Sequence, residues 1–151
     1  MKKIIDLHLH SNVSDGSLRP AELMEAAAKA GVSTVSLTDH DNTAGLAEAA
    51  TAAVALGMDF IPGIELSCTT ECGPVDVLGY YVPVGEADFE TSLQGLRAAR
   101  DRRNLLILEK LAGLGLPVSA EELADRVTGR LDTDPCYRSK DDIVRIYAES
   151  L

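Results

Sequence analysis

The chain has 151 residues, with 24 acidic against 14 basic side chains and a formal net charge of −10. That length suits one domain with its own core, and 46% hydrophobic with 25% charged residues is the balance of a globular protein. The acidic excess excludes a broad surface for duplex nucleic acid, which would be basic. No apolar run is long enough to span a bilayer. The opening Met1-Lys2-Lys3-Ile4-Ile5-Asp6 lacks the hydrophobic region of a signal peptide. Cys68, Cys72 and Cys136 make an odd count, which points to reduced thiols and a cytoplasmic location. Cys68 and Cys72 have no second pair to complete a structural zinc site.

In chain order, residues 2–9 read as a strand with Ile4, Ile5, Leu7 and Leu9 as its apolar members. A polar loop over 11–18 follows, with Asp15-Gly16 as a turn signal. Pro20 suits the first turn of a helix and Gly31 its C-terminal cap. Between them Leu23, Met24, Ala27 and Ala28 form a helical stripe. A second strand is expected at 33–38, an alanine-rich helix at 43–56 ended by Gly57, and a third strand at 59–67, bent at Pro62-Gly63. A fourth strand is expected at 75–82. Residues 86–113 read as one long helix, basic for so acidic a chain through Arg97, Arg100, Arg102, Arg103 and Lys110. Ser119 with Glu122 forms a capping box for a short helix to Arg126, and a last helix is expected near 140–149.

The β-α-β-α-β order argues for an α/β fold with parallel strands and helical crossovers, whose sites gather at the C-terminal ends of the strands. His8, His10, His40 and Glu65 all fall at or just beyond such ends. Side chains alternate along a strand, so His8 and His10 share a face and can bind one cation. Glu65 can bridge two cations, because a carboxylate has two oxygens. Asp39 and Asp41 can orient His40 or cap the helix that follows, and capping suits Asp41.

Five motifs, in order, resemble the PHP family (polymerase and histidinol phosphatase domains). They are Asp6-Leu7-His8-Leu9-His10-Ser11, Ser14-Asp15-Gly16, Leu37-Thr38-Asp39-His40-Asp41, Pro62-Gly63-Ile64-Glu65 and Leu78-Gly79-Tyr80. Together with their spacing they cover residues 3–125, and they look most like the small bacterial phosphoesterases of that family. The resemblance implies a distorted barrel of βα units and a site of up to three divalent cations (Mn, Mg, Zn or Fe). It places His8, His10 and Glu65 among the ligands and adds Asp15 and His40. Asp76 stands where the family usually carries a histidine ligand, and harder oxygen donors favour Mn²⁺ or Mg²⁺ over Zn²⁺. The implied reaction is hydrolysis of a small phosphorylated metabolite, a nucleotide bisphosphate or the end of a short oligonucleotide. Arg100 and Arg103 are candidates to hold a substrate phosphate, against the plainer role of a solvated helix face.

The chain also departs from that pattern. No histidine follows His40, and Asp141-Asp142 occupy a segment where relatives carry one. About four strands are too few to close such a barrel, which implies a partial barrel with C-terminal helices. A metal-bearing core over 1–85 and a dependent helical segment over 86–151 follow from that reading. A truncated, weakly active phosphoesterase is therefore expected, completed by a homodimer or a domain-swapped pair. Two alternatives stay open: a degenerate, non-catalytic module with an oligomerisation or regulatory role, and another metal-dependent hydrolase of the amidohydrolase type.

Overall fold

The computed structural model describes residues 3–120. Among them the order of elements is β1 (Ile4–Leu9), α1 (Pro20–Lys29), β2 (Val32–Leu37), α2 (Leu46–Ala55), β3 (Asp59–Thr70), β4 (Gly73–Tyr80) and α3 (Ala87–Gly113). The helices expected at 119–126 and 140–149 lie almost wholly or wholly outside the described residues. The chain divides between Leu93 and Gln94 into two compact units.

The first unit is a four-stranded sheet in the order β1-β2-β3-β4, curled as half of a barrel. β1 pairs with β2 and β2 with β3 in parallel, through α1 and α2 as crossovers. β4 does not continue the parallel order. It returns from β3 as an antiparallel hairpin, Gly63↔Tyr80 through Thr70↔Gly73, because only two residues separate the strands. β3 is therefore longer than its apolar core suggests. It pairs with β2 from Asp59 to Pro62 and with β4 from Gly63 onward. The expected bend at Pro62-Gly63 is this change of partner, and the freed Pro62 carbonyl accepts the Tyr81 N–H at 2.7 Å. Gly63 is obligatory here, since a Cβ would lie 2.8 Å from Thr38 Cγ2 and closer still to Ser36 Oγ.

The core lies on one face of the sheet. Val35 and Leu37 of β2 pack with Met24 and Ala27 of α1 and with Leu46, Ala49 and Ala53 of α2. By alternation, Ser36, His8 and His10 belong to the opposite face. That face carries polar and ligating side chains near the strand ends rather than a second apolar layer. The need for apolar cover falls instead at the sheet's margins, where Ile4, Ile5, Val75 and Val77 are exposed. Glu48 of α2 ties the helices together by accepting the Ala21 N–H at 3.3 Å, in the first turn of α1. Gly31 and Gly57 follow α1 and α2 at φ +83° and +75°, as a helix-ending glycine requires. α2 starts at Leu46 rather than 43, because Thr38 to Gly45 form an extended loop that carries the site.

Candidate metal centre

Three strand ends converge on Glu65, which is 7% exposed. β2 does not stop pairing at Leu37. The Asp41 N–H donates to the Glu65 carbonyl at 2.9 Å and the Glu65 N–H to the Asp39 carbonyl at 3.3 Å, so His40 and Glu65 sit side by side as an extra rung. Thr38 likewise donates its N–H to the Leu9 carbonyl at 2.8 Å, which brings His10 alongside. The result gathers three imidazoles on one carboxylate oxygen. His8 Nε2 and His10 Nε2 lie 3.0 Å from Glu65 Oε2, and His40 Nε2 lies 3.5 Å from it. Asp15 enters from the loop, with its oxygens 3.2 Å from His10 Nδ1 and 3.6 Å from His40 Nε2. The His10 and His40 rings stack at 4.9 Å between centroids.

This donor set suits cations. Three groups of potential ligands form: His8, His10 and Glu65; His10, Asp15 and His40; His40, Glu65 and Asp76. In each, the ligand atoms lie within 4.8 Å of one another, and the groups share His10, His40 and Glu65. The Nδ1 atoms of His10 and His40 are buried without a hydrogen-bond partner among the described residues. For His10 this holds although Asp15 is 3.2 Å away, because that approach is not aligned for a hydrogen bond. Burial, reinforced by His40 and His8, lowers the pKa of His10 below 6.5 against the opposing pull of Asp15 and Glu65. Burial thereby favours the neutral form of His10, the form that ligates a metal. The ion pairs of Glu65 among the described residues are with histidines alone, so no fixed cation offsets its buried charge.

Asp76, exposed on β4 opposite Ser67, completes the third group, so the position that departs from the family pattern still faces the cluster. Asp41 does not cap α2. Its Oδ1 accepts the Ser67 N–H of β3 at 3.0 Å, and its backbone adopts φ +51°, turning the chain away behind His40. The N-cap of α2 is Gly45. Arg100 and Arg103 lie on α3 in the second unit, Arg100 half-buried and Arg103 exposed. Sequence reasoning overlooked Ser11 and Ser14, which bind the buried Asp39 carboxylate. Hydroxyls on both sides of a loop that carries a candidate ligand were the available signal.

A family model for the PHP domain matches residues 6–116. The chain belongs to the PHP family. Among curated proteins, a 5'-3' exoribonuclease of Haemophilus influenzae is 38% identical over 128 residues, 83% of this chain and 47% of the relative. A 3',5'-nucleoside bisphosphate phosphatase of Chromobacterium violaceum is 35% identical over 84% of this chain and 42% of the relative. Two solved structures superpose well. One is an amidohydrolase from Chromobacterium violaceum with bound sulfate and no metal, at TM-score 0.78 and 32% identity over 97% of this chain and 50% of that one. The other is a metal-dependent phosphoesterase from Bifidobacterium adolescentis, at TM-score 0.74 and 29% identity over 89% of this chain and 46% of that one. This PHP chain thus spans about half the length of the curated relatives it matches. The ligand groups supply the donors for metal binding. Among the described residues no helix is long and apolar enough to cross a membrane.

Proposed function

We propose that this chain supplies the metal-binding part of a phosphatase acting on a phosphate monoester of a nucleotide, a nucleotide bisphosphate or the end of a short oligonucleotide. The observation that supports this is the sharing of His10, His40 and Glu65 by three adjacent ligand groups. Groups that overlap in this way place their candidate cation positions close enough to act on one phosphoryl group. His8, His10 and Glu65 would hold one cation, and Asp15, His40 and Asp76 would supply ligands to its neighbours, with Glu65 able to serve two cations through its two oxygens, each neutral imidazole serving one, and Asp76 favouring Mn²⁺ or Mg²⁺. When bound, such cations lower the pKa of water and neutralise charge on phosphoryl oxygens. The protein's own part is geometric. Glu65 keeps three imidazoles converged, burial favours neutral His10, and Asp15 closes the loop side. The nucleotide substrate class is suggested by the names of the relatives, a 5'-3' exoribonuclease and a 3',5'-nucleoside bisphosphate phosphatase. Arg100 and Arg103 of α3 are proposed as phosphate-binding residues, through the bidentate reach of a guanidinium.

Metal analysis of protein purified without added metal tests the reading. Retained divalent metal is expected, and it should be lost in the His8→Ala, His10→Ala double variant. Stoichiometric metal insensitive to that double variant would place the site elsewhere and refute the proposal. A panel of nucleotide phosphomonoesters and amides should show metal-dependent turnover of the phosphoesters alone, and slowly, since the chain spans half its relatives' length. Amide turnover would favour the amidohydrolase reading. Metal binding without any turnover would favour the non-catalytic module. We further propose a cytoplasmic homodimer in which a second copy covers the open margins at Ile4, Ile5, Val75 and Val77. Sedimentation showing a clean monomer would refute the dimer.

A further inference from the structure

We infer that Asp39 is a positioning residue that sets Asp15 against His10 and His40 by clamping the loop between them. The inference rests on the proposed metal centre and assigns to Asp39 a task that neither ligation nor helix capping covers.

Asp39 is 1% exposed, and among the described residues it has no lysine or arginine partner. Its carboxylate is occupied entirely by the loop that leaves β1. Oδ1 accepts the Ser11 N–H at 2.8 Å and the Ser14 hydroxyl at 2.6 Å, while Oδ2 accepts the Ser11 hydroxyl at 2.7 Å. Ser11 follows His10 directly, Ser14 precedes Asp15 directly, and Asp39 precedes His40 directly. One carboxylate therefore fixes the neighbours of all three members of the His10, Asp15 and His40 group. Away from Asp39, the Asn12 N–H donates to the Leu18 carbonyl at 2.8 Å and closes the base of the loop, and the Val13 N–H donates to the Ser11 hydroxyl at 3.2 Å. The loop's own backbone also supplies Ser14 N–H to Ser11 carbonyl at 3.1 Å and Gly16 N–H to the same carbonyl at 2.9 Å.

The Ser14 hydroxyl lies between the two carboxylates of Asp39 and Asp15. It lies 2.6 Å from Asp39 Oδ1 and 3.1 Å from Asp15 Oδ1. A hydroxyl has one proton, and the shorter contact takes it. Ser14 thus anchors the loop on Asp39 and leaves that Asp15 oxygen turned toward the histidines. Charge-assisted bonds of this length are the strong ones, and three of them on one buried anion also offset its desolvation.

The test titrates Co²⁺ into the 151-residue chain, following stoichiometry and affinity by calorimetry and coordination by visible absorption. Wild type is expected to bind at more than one site. Ser14→Ala and Asp39→Ala should weaken the site that depends on Asp15 by about tenfold to a hundredfold, as outer-shell changes do, and spare the site of His8, His10 and Glu65. Ser14→Thr, which keeps the hydroxyl, should restore it. In an Asp15→Ala background, Ser14→Ala should add nothing further. Equal weakening of both sites, no weakening by Ser14→Ala, or additivity with Asp15→Ala would overturn the clamp. Because Asp39→Ala can unfold the chain, Ser14→Ala, whose apo melting temperature is compared with wild type, carries the decision. Wild-type protein that binds no Co²⁺ would overturn the metal centre itself and the clamp with it.

Discussion

Replacing Gly16 with alanine should disable one ligand group while leaving the fold standing. A Cβ at this position would lie 2.6 Å from the His10 carbonyl carbon, 2.9 Å from the Ser11 carbonyl carbon, and closer than either to the His10 carbonyl oxygen. All three obstacles are backbone, so no side chain can swing aside. Ordinary contact begins near 3.4 Å, so the segment must retreat by close to 1 Å. β1 is fixed by its pairing with β2, so the loop is what moves, and Asp15 moves with it. Metal–ligand distances tolerate only about 0.2 Å, so a displacement of that size takes Asp15 out of coordination. We expect affinity at the Asp15-dependent site to fall by about tenfold or more, with overpacking costing roughly 1–3 kcal/mol of stability. Calorimetric Co²⁺ titration and thermal melts of the metal-free chain measure the two effects. Gly95→Ala is the control, because nothing lies within 4 Å of its Cβ and α3 surrounds it. Removing a glycine from a helix should stabilise by about 0.5–1 kcal/mol. Wild-type metal affinity and melting temperature in Gly16→Ala would refute the steric reasoning.

Glu65→Gln should abolish most metal binding yet leave the metal-free protein as stable as wild type or more so, since it removes a buried charge; loss of folding without metal would contradict this. His10 has a folded pKa lowered by burial, so on acidification the unfolded chain takes up a proton that the folded chain resists. Stability of the metal-free chain should therefore decline as pH falls through 6.5 and gain nothing from this group above it, and His10→Gln should flatten that slope. Tyr80→Phe removes the hydroxyl that donates to the Leu7 carbonyl at 3.0 Å, linking β4 to β1 across the curled sheet. A loss of about 0.5–1.5 kcal/mol in denaturant unfolding is expected; no change would mean that the bond contributes nothing to the curl.

The sequence exposed the parallel half of the fold because its signals are local: Pro20 and Gly31 bracket α1, and apolar runs mark β1 and β2. His8, His10, His40 and Glu65 were legible for the same reason, since each ends a strand within a short motif. The direction of β4 was not. Hairpin and crossover strands share the same alternation, and only the two-residue connection at Glu71-Cys72 distinguishes them. Asp41 shows another limit. An acidic residue shortly before a helix satisfies the capping pattern, but here the ladder between His40 and Glu65 carries it to Ser67 instead. The roles of Ser11 and Ser14 depend on a contact between residues 25 and 28 positions away in the chain, which no periodicity encodes.

The change of partner along β3 has a consequence for the order of assembly. Glu65 belongs to the portion of β3 paired with β4, a hairpin whose closing loop is two residues long. Such hairpins close in about 1–10 μs. His8 and His10, by contrast, meet β2 only after the α1 crossover is in place, and Glu65 meets them only after α2 has docked. Contacts across such long loops form late. The carboxylate should therefore be presented on an early, local structure, and the imidazoles should arrive afterwards. Pulse-labelled hydrogen exchange would detect this as protection of the Val75 and Val77 amides before those of Val35 and Leu37. A divalent cation added during refolding should then accelerate only the later phase, acting as a template for the last ligands to arrive.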